Sequence, residues 1–333
     1  MEKIITVENL SRKYVTYTRG SGFRESLKSF FRRQKVSVDA VKDVSFYVGK
    51  GDIIGILGPN GAGKSTTIKM LTGTLYASTG NIQVMGCDPC RNRTEYVKNI
   101  GAVFGQKSQL VFDIPPIDSF RMNKAIYDIS DKDYKERLDL LVELLGLEDK
   151  IFRPTRVLSL GERMKCEFIM AMLHNPDIVF LDEPTIGLDV IAKQTIRDFI
   201  KKMNEKGTTF ILTTHDLQDV EQLAKNIIII NKGEKVFDGS IDELKRNLGN
   251  KKIIELTLTK KADVNRTGET YDLGIEGAAV IAVEEEHKLT IEVDIDRISI
   301  NQFIIRLAEL CEFSDISIKE LPMEKVITTI YKG

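Results

Sequence analysis

Residues 58–66 read Gly58, Pro59, Asn60, Gly61, Ala62, Gly63, Lys64, Ser65, Thr66. A glycine, four residues and then Gly-Lys-Ser is a spacing suited to phosphate. Backbone N–H groups must close around phosphate oxygens, and side chains at the glycine positions would obstruct them. The apolar run DIIGIL leads into this loop and IKMLTG follows it. It therefore joins a strand to a helix whose N-terminal dipole favours an anion. Lys64 is placed to neutralise the β and γ phosphates and Ser65 to ligate Mg²⁺. A nucleotide is the expected ligand.

A second apolar run, DIVFL, ends in Asp182 and Glu183. In open α/β sheets ligands gather beyond the C-terminal strand ends, where both carboxylates fall. Asp182 is expected to hold the Mg²⁺ shell and Glu183 to polarise the attacking water as general base. Gln106 follows GAVF, and His215 follows TTFILTT. Either alone reads as a turn residue; at neighbouring strand ends they suit the positioning of the γ-phosphate and water.

The elements that must carry these groups follow from periodicity. From 52 to about 238, apolar runs alternate with amphipathic stretches, predicting a largely parallel sheet with crossover helices. The segments 4–10 and 36–48 alternate residue by residue and predict a small antiparallel sheet in front of it. Helical patterning takes over between 117 and 173; Ser130 is an expected N-cap, and Gly146 an expected stop for a helix presenting Leu138, Leu141, Val142 and Leu145. After a polar boundary, NLGNKK, the pattern changes to β-β-β-α-β with a closing helix near 323–331. The expected division is residues 1–243, with a helical insert at about 107–174, and a small α+β domain at 250–333.

Composition sets the outer limits. The 333 residues carry 48 Lys plus Arg against 49 Asp plus Glu, so no global positive charge argues for nucleic acid. Runs such as IIII at 227–230 are too short to cross a bilayer. The stretch MEKIITVENL has no signal-like apolar core, which makes the cytoplasm the expected compartment. Cys87 and Cys90 stand in a CxxC spacing with no second His/Cys pair, and read as reduced loop thiols.

The ordered set GPNGAGKST, Gln106, LSLGE, FLDEP, GLD and TTHD resembles the nucleotide-binding subunit of ABC transporters over about residues 3–240, and the DAVKDVSF-to-GLD pattern with the appended C-terminal domain resembles the ABC-2 exporter branch. The LSxGx element is the specific part of the resemblance. It implies a P-loop NTPase (RecA-like) core of α/β class and ATP hydrolysis. It also implies a dimer, homomeric or with a related ATPase subunit, docked on separate membrane permeases at the cytoplasmic face. Ser159 is an expected N-cap, with Glu162 completing a capping box. Such a helix tip suits an anion, and by the resemblance Ser159, Gly161 and Glu162 face the γ-phosphate held by a second chain. Likewise, Asp189 would touch the partner, Gln106 would sense Mg²⁺, and Tyr14 would stack on adenine, with Tyr17 a rival.

This chain departs from the family pattern at Leu160 and Glu162, which replace a Gly and a Gln. An acid near ATP must be paired, and Arg163 is the expected partner. The segment 19–35 is an insertion; as a helix it would place Phe23, Leu27, Phe30 and Phe31 on one face and Arg24, Lys28 and Arg32 on another. Such a helix suits either packing on its own domain or rest at a membrane surface. Phe112 and Ile114, beside Pro115 and Pro116, predict an exposed docking patch, which by the resemblance would receive a permease helix, with burial under the helical insert as the other reading. A second functional reading, a non-transport ABC ATPase acting on ribosomes or nucleic acid, sits poorly with balanced charge and a single cassette.

Overall fold

Alternating apolar residues in the N-terminal stretch drive an antiparallel pair: β1 (Lys3–Thr18) and β2 (Gln34–Gly49) pair from Lys3↔Gly49 to Thr18↔Gln34, with register shifts between Lys3 and Lys13. A third strand, β4 (Thr79–Val84), pairs with β1 from Ile5↔Val84 to Ser11↔Thr79. The computed structural model describes residues 2–18, 34–105, 107–247, 251–259, 265–267, 270–284 and 287–320. The basic segment 19–33, Gln106 and the 323–331 stretch expected to be helical lie outside the described residues. The chain divides into two units, Met1–Gly239 and Ser240–Gly333.

The first unit is built on a six-stranded sheet of β3 (Ile53–Leu57), β5 (Ile100–Phe104), β6 (Ile178–Asp182), β7 (Thr209–Thr214), β8 (Asn226–Asn231) and β9 (Glu234–Ser240). Their order is β5-β6-β7-β3-β8-β9, and the first four neighbouring pairs are parallel. Strands buried on both faces must be apolar throughout, which is why these runs read as continuous rather than alternating. Ile54, Ile56, Phe180 and Ile211 pack toward the small antiparallel sheet with Ile5, Leu10 and Phe46. On the opposite face Val179, Leu181, Phe210 and Leu212 pack against helices.

The chain order places helices where the strands need cover. After β3 comes α1 (Lys64–Leu71); α2 (Arg93–Val97) precedes β5. Between β5 and β6 lie α3 (Pro116–Ile126), α4 (Asp131–Leu145) and α5 (Leu160–Met172). Then α6 (Val190–Glu205) leads to β7 and α7 (Leu217–Leu223) to β8. Helix α4 starts where Ser130 Oγ accepts from the Asp133 N–H and stops at Gly146, whose φ of 62° suits glycine. Leu138, Leu141, Val142 and Leu145 are its buried stripe.

The second unit begins with α8 (Ile241–Asn247) and holds β10 (Lys251–Leu258), β11 (Asn265–Thr267), β12 (Thr270–Asp272), β13 (Ala278–Glu284), β14 (Lys288–Asp294), α9 (Ile300–Leu310) and β15 (Phe313–Glu320). The sheet order is β11-β12-β13-β14-β10-β15. Ile254, Leu256, Leu289, Ile291 and Val293 form one face of it and pack on Phe303 and Leu307 of α9. The β11–β12 hairpin adds two strands to the β-β-β-α-β expectation. Its sequence, NRTGETYD, is too polar and short for apolar alternation to reveal it.

Candidate functional site

Strand β3 sits between β7 and β8, so the loop that follows it emerges at the middle of the sheet's C-terminal edge. That loop passes so close to its neighbours that side chains are excluded. A Cβ on Gly58 would lie 2.3 Å from the Ile230 carbonyl oxygen, and one on Gly63, at φ 112°, would lie 2.4 Å from that of Ala40. Asn60, Gly61, Gly63, Lys64, Ser65 and Thr66 line a cavity of about 460 Å³, which Phe104, Gly105, Lys107, Asp182, Glu183 and His215 also border. Gly58 and Pro59 contribute carbonyls behind the wall, accepting from Lys64 Nζ at 2.7 and 3.3 Å. Ala62 is buried beneath it. Burial lowers the Lys64 pKa from its ordinary value, and the neighbouring Glu183 and Asp182 carboxylates act in the opposite direction.

The two carboxylates are brought to this cavity as their strand position implied. Asp182 Oδ1 accepts from Ser65 Oγ at 2.8 Å and from Thr213 Oγ1 at 2.6 Å. Glu183 has φ 53°, in the left-handed region, where a residue with a Cβ carries strain. Its amide is held by the Thr213 carbonyl at 3.0 Å and the Thr213 hydroxyl at 3.1 Å. Glu183 Oε1 stands 3.8 Å from Lys64 Nζ and 3.5 Å from His215 Nδ1. The His215 distance is too long for a good hydrogen bond, so the imidazole is adjacent to the carboxylate rather than fixed by it. Gln106 is outside the described residues, but its neighbours Gly105 and Lys107 both border the cavity.

Two buried acids missed by the sequence reading fasten these strand ends. Asp219 accepts from Arg197 Nε at 2.8 Å, from the Thr185 hydroxyl, and from Thr214 Oγ1 at 3.3 Å. It thus ties α6 and α7 to the turns carrying Glu183 and His215. Glu167, on α5, accepts from Ser108 Oγ at 2.5 Å and from the Gln109 N–H at 3.0 Å, anchoring the segment after Gln106. Burial pushes its pKa up, against the pull of those donors. Thr213 was also missed, although a threonine within the wholly buried TTFILTT strand is a usable signal: a buried hydroxyl needs a partner.

The LSLGE element caps α5 as expected. Ser159 Oγ accepts from the Glu162 N–H at 3.2 Å, while Glu162 Oε2 accepts from the Ser159 N–H at 2.9 Å. The expected pairing of Glu162 with Arg163 is not found. Lys150 Nζ lies 2.7 Å from Glu162 Oε1, whereas the Arg163 guanidinium lies 6.0 Å from the Phe112 ring centroid. Sequence distance concealed Lys150. Asp189 caps α6, accepting from the Ala192 N–H at 2.8 Å. The two elements adjoin: a Cβ on Gly161 would meet the Ala192 Cβ at 3.0 Å, and one on Gly187 the Leu160 side chain at 3.2 Å. Ser159, Gly161, Glu162 and Asp189 do not border the cavity. Nor does Tyr14, which pairs with Val38 and has the Arg12 guanidinium carbon 4.9 Å from its ring centroid. The Tyr17 side chain is outside the described residues.

In the expected docking patch Phe112 is exposed, but Ile114 and Pro115 are half-buried and Pro116 is buried. The reason is local: the Ile114 carbonyl accepts from the Thr155 N–H and hydroxyl, pinning that stretch, and Pro116 opens α3. Cys87 and Cys90 are free thiols, and no cluster of His, Cys, Asp and Glu suited to a metal occurs among the described residues.

Comparison with known proteins identifies the family and the fold. The family model described as ABC transporter matches residues 41–186. The ABC transporter ATP-binding protein NatA of Bacillus subtilis (strain 168) is 33% identical over 214 residues, 64% of this chain and 87% of that protein. The linearmycin resistance ATP-binding protein LnrL of the same organism is 31% identical over 271 residues, 81% of this chain and 84% of that one. Among solved structures, an ATP-binding subunit of an ABC transporter aligns with a TM-score of 0.61 at 24% identity, over 74% of this chain and 93% of that one. A dimeric ATP-binding cassette bound to ADP and Pi aligns at 0.59 and 21%, over 71% and 98%. These last two show the fold. The chain belongs to the ABC transporter ATP-binding proteins, and is an ATP-binding, ATP-hydrolysing enzyme.

Proposed function

We propose that two such chains close head to tail around two ATP molecules and drive export through separate permease subunits at the cytoplasmic face of a membrane. The observation that carries the pairing is the placement of Ser159 and Gly161. They sit on a capped helix tip that takes no part in the chain's own phosphate cavity, although such a tip is suited to an anion. Beside it, Val190 and Ile191 are 81% and 79% exposed, an apolar surface suited to a partner. The partner is a second copy or a close relative.

In this reading Glu183 takes a proton from the water attacking the γ-phosphorus, and as the bond to the β-phosphate oxygen breaks Lys64 and the loop amides balance the charge left on the departing ADP. His215 and Gln106 orient the γ-phosphate and water, and Asp189 contacts the partner. Tyr14 stacks on adenine. The Ser65 hydroxyl and Asp182 carboxylate, 2.8 Å apart, form an all-oxygen pair that fits Mg²⁺, a hard ion usually held by one or two protein oxygens, substrate phosphates and water. When bound, Mg²⁺ neutralises phosphate oxygens.

Export of the ABC-2 type rests on likeness to relatives such as LnrL, a resistance protein by name, and a probable multidrug ATP-binding protein, YbhF, of Escherichia coli (strain K12). Among the described residues no helix is long and apolar enough to cross a membrane, so the reading assigns the pathway to other chains. The exposed Phe112 and Val157 are the proposed permease contact. The test is ATP-driven association of the Glu183→Gln variant, followed by light scattering. Mass should double with ATP and Mg²⁺, and adding Ser159→Arg should abolish the doubling; doubling that survives Ser159→Arg refutes the composite site.

A further inference from the structure

Glu162 places a carboxylate at the helix tip that, on the reading above, meets the triphosphate bound by a second chain. A bare negative charge there opposes closure. Both of its oxygens are engaged: Oε2 takes the Ser159 N–H at 2.9 Å and Oε1 takes Lys150 Nζ at 2.7 Å. Lys150 is not an incidental surface lysine. It lies in a turn in which the Lys150 and Ile151 amides both donate to the Leu147 carbonyl, at 2.9 and 3.2 Å. Leu147 and Ile151, on either side of it, are buried at 1% and 4% exposure in the core of the helical insert. The Ile151 carbonyl in turn accepts from the Ile117 N–H at 3.0 Å. The ammonium is therefore delivered from a fixed backbone on a different element from the one it neutralises.

We infer that Lys150 is a positioning residue for ATP-driven closure: by holding and neutralising Glu162, it lets a helix tip carrying an acid approach a polyphosphate. This rests on the two-chain reading. The direction in which Glu162 is shifted agrees with it, since the Lys150 hydrogen bond is the largest influence holding that carboxyl below its ordinary value. The pair thus supplies in two residues what an uncharged amide at position 162 would supply in one.

The test is a double-mutant cycle in the full-length Glu183→Gln background, measuring the ATP concentration that half-saturates dimer formation. Lys150→Met should raise it about five- to tenfold, an effect that shrinks as salt rises from about 50 to 300 mM, because the effect is one of unscreened charge. Lys150→Arg should behave as the parent. Adding Lys150→Met to Glu162→Gln should then have little further effect, because no carboxylate remains to neutralise. Nucleotide binding to the chain's own phosphate loop, followed with a fluorescent ATP analogue, should be unchanged by Lys150→Met, which separates this role from a folding defect. A parent-like Lys150→Met, or one equally impaired beside Gln at 162, overturns the inference. A parent that forms no dimer with ATP at all refutes the two-chain reading and removes the premise. Dimerisation that ignores Lys150 refutes this inference alone.

Discussion

The Thr213 hydroxyl donates to Asp182 Oδ1 at 2.6 Å and accepts from the Glu183 amide at 3.1 Å, so one side chain on β7 holds both carboxylate-bearing residues at the end of β6. Its donor and one acceptor site are both used, and valine, nearly its shape, can replace neither. A hydrogen bond to a charged group contributes about 1.5–3 kcal/mol, so Thr213→Val is expected to lower kcat by about ten- to a hundredfold. The Thr213 carbonyl still anchors Glu183, so KM should move much less. Steady-state phosphate release as a function of ATP checks the split.

Glu183→Gln keeps the side-chain shape and removes the proton acceptor. Hydrolysis should fall by about 10²–10⁴ while ATP binding persists. Single-turnover assays beside equilibrium nucleotide binding separate the two, and undiminished turnover would take Glu183 out of its proposed role.

The Arg197–Asp219 pair is buried, at 4% and 0% exposure, and joins the segments that end in His215, Thr185 and Asp189. Removing one member leaves a buried charge unpaired, which costs about 3–5 kcal/mol. Asp219→Ala should therefore lower stability to urea by about that amount, and the double change Arg197→Met with Asp219→Leu should lose clearly less. Equal losses would argue against the unpaired charge as the cause.

His174 gives the helical insert an acid limit. Its ring stacks on Tyr127 at 3.9 Å, and Nε2 donates to the Ile100 carbonyl at 2.8 Å. Burial lowers its pKa, opposed by that bond and aided by Arg137. The depressed folded value means that stability is complete above the unfolded value of about 6.5 and declines as pH falls toward the folded one. His174→Gln should reduce that acid-side slope by up to about one proton, as read from melts between pH 7.5 and 5.

Gly58→Ala would set a Cβ 2.3 Å from the Ile230 carbonyl, and backbone on both sides cannot yield cheaply. ATP affinity should drop by about ten- to a hundredfold in calorimetric titration, because the loop must move to admit the methyl group.

Much of the site was legible because its signals are local. A glycine-rich loop between a strand and a helix, carboxylates ending an apolar run, and Ser and Glu three residues apart at a helix start each lie within about ten residues. Periodicity likewise announced the parallel core, since buried strands must be continuously apolar. What remained hidden are pairings across the sequence. Lys150 rather than Arg163 meets Glu162 because the turn after α4 is packed beside the tip of α5. Thr213 reaches Asp182 because β6 and β7 are neighbours in register, Asp182 opposite Thr213.

The chain's sequence by itself determined which chemical groups are present and which short elements carry them: hydrogen-bonding partners three residues apart, and apolar spacing, are fixed by covalent connection. The tertiary structure alone decided which charges neutralise each other, which hydroxyl bridges the two carboxylates, and that Glu183 is held at a positive φ. Those depend on distances of a few ångströms between residues about ten to more than a hundred positions apart, and only packing sets such distances.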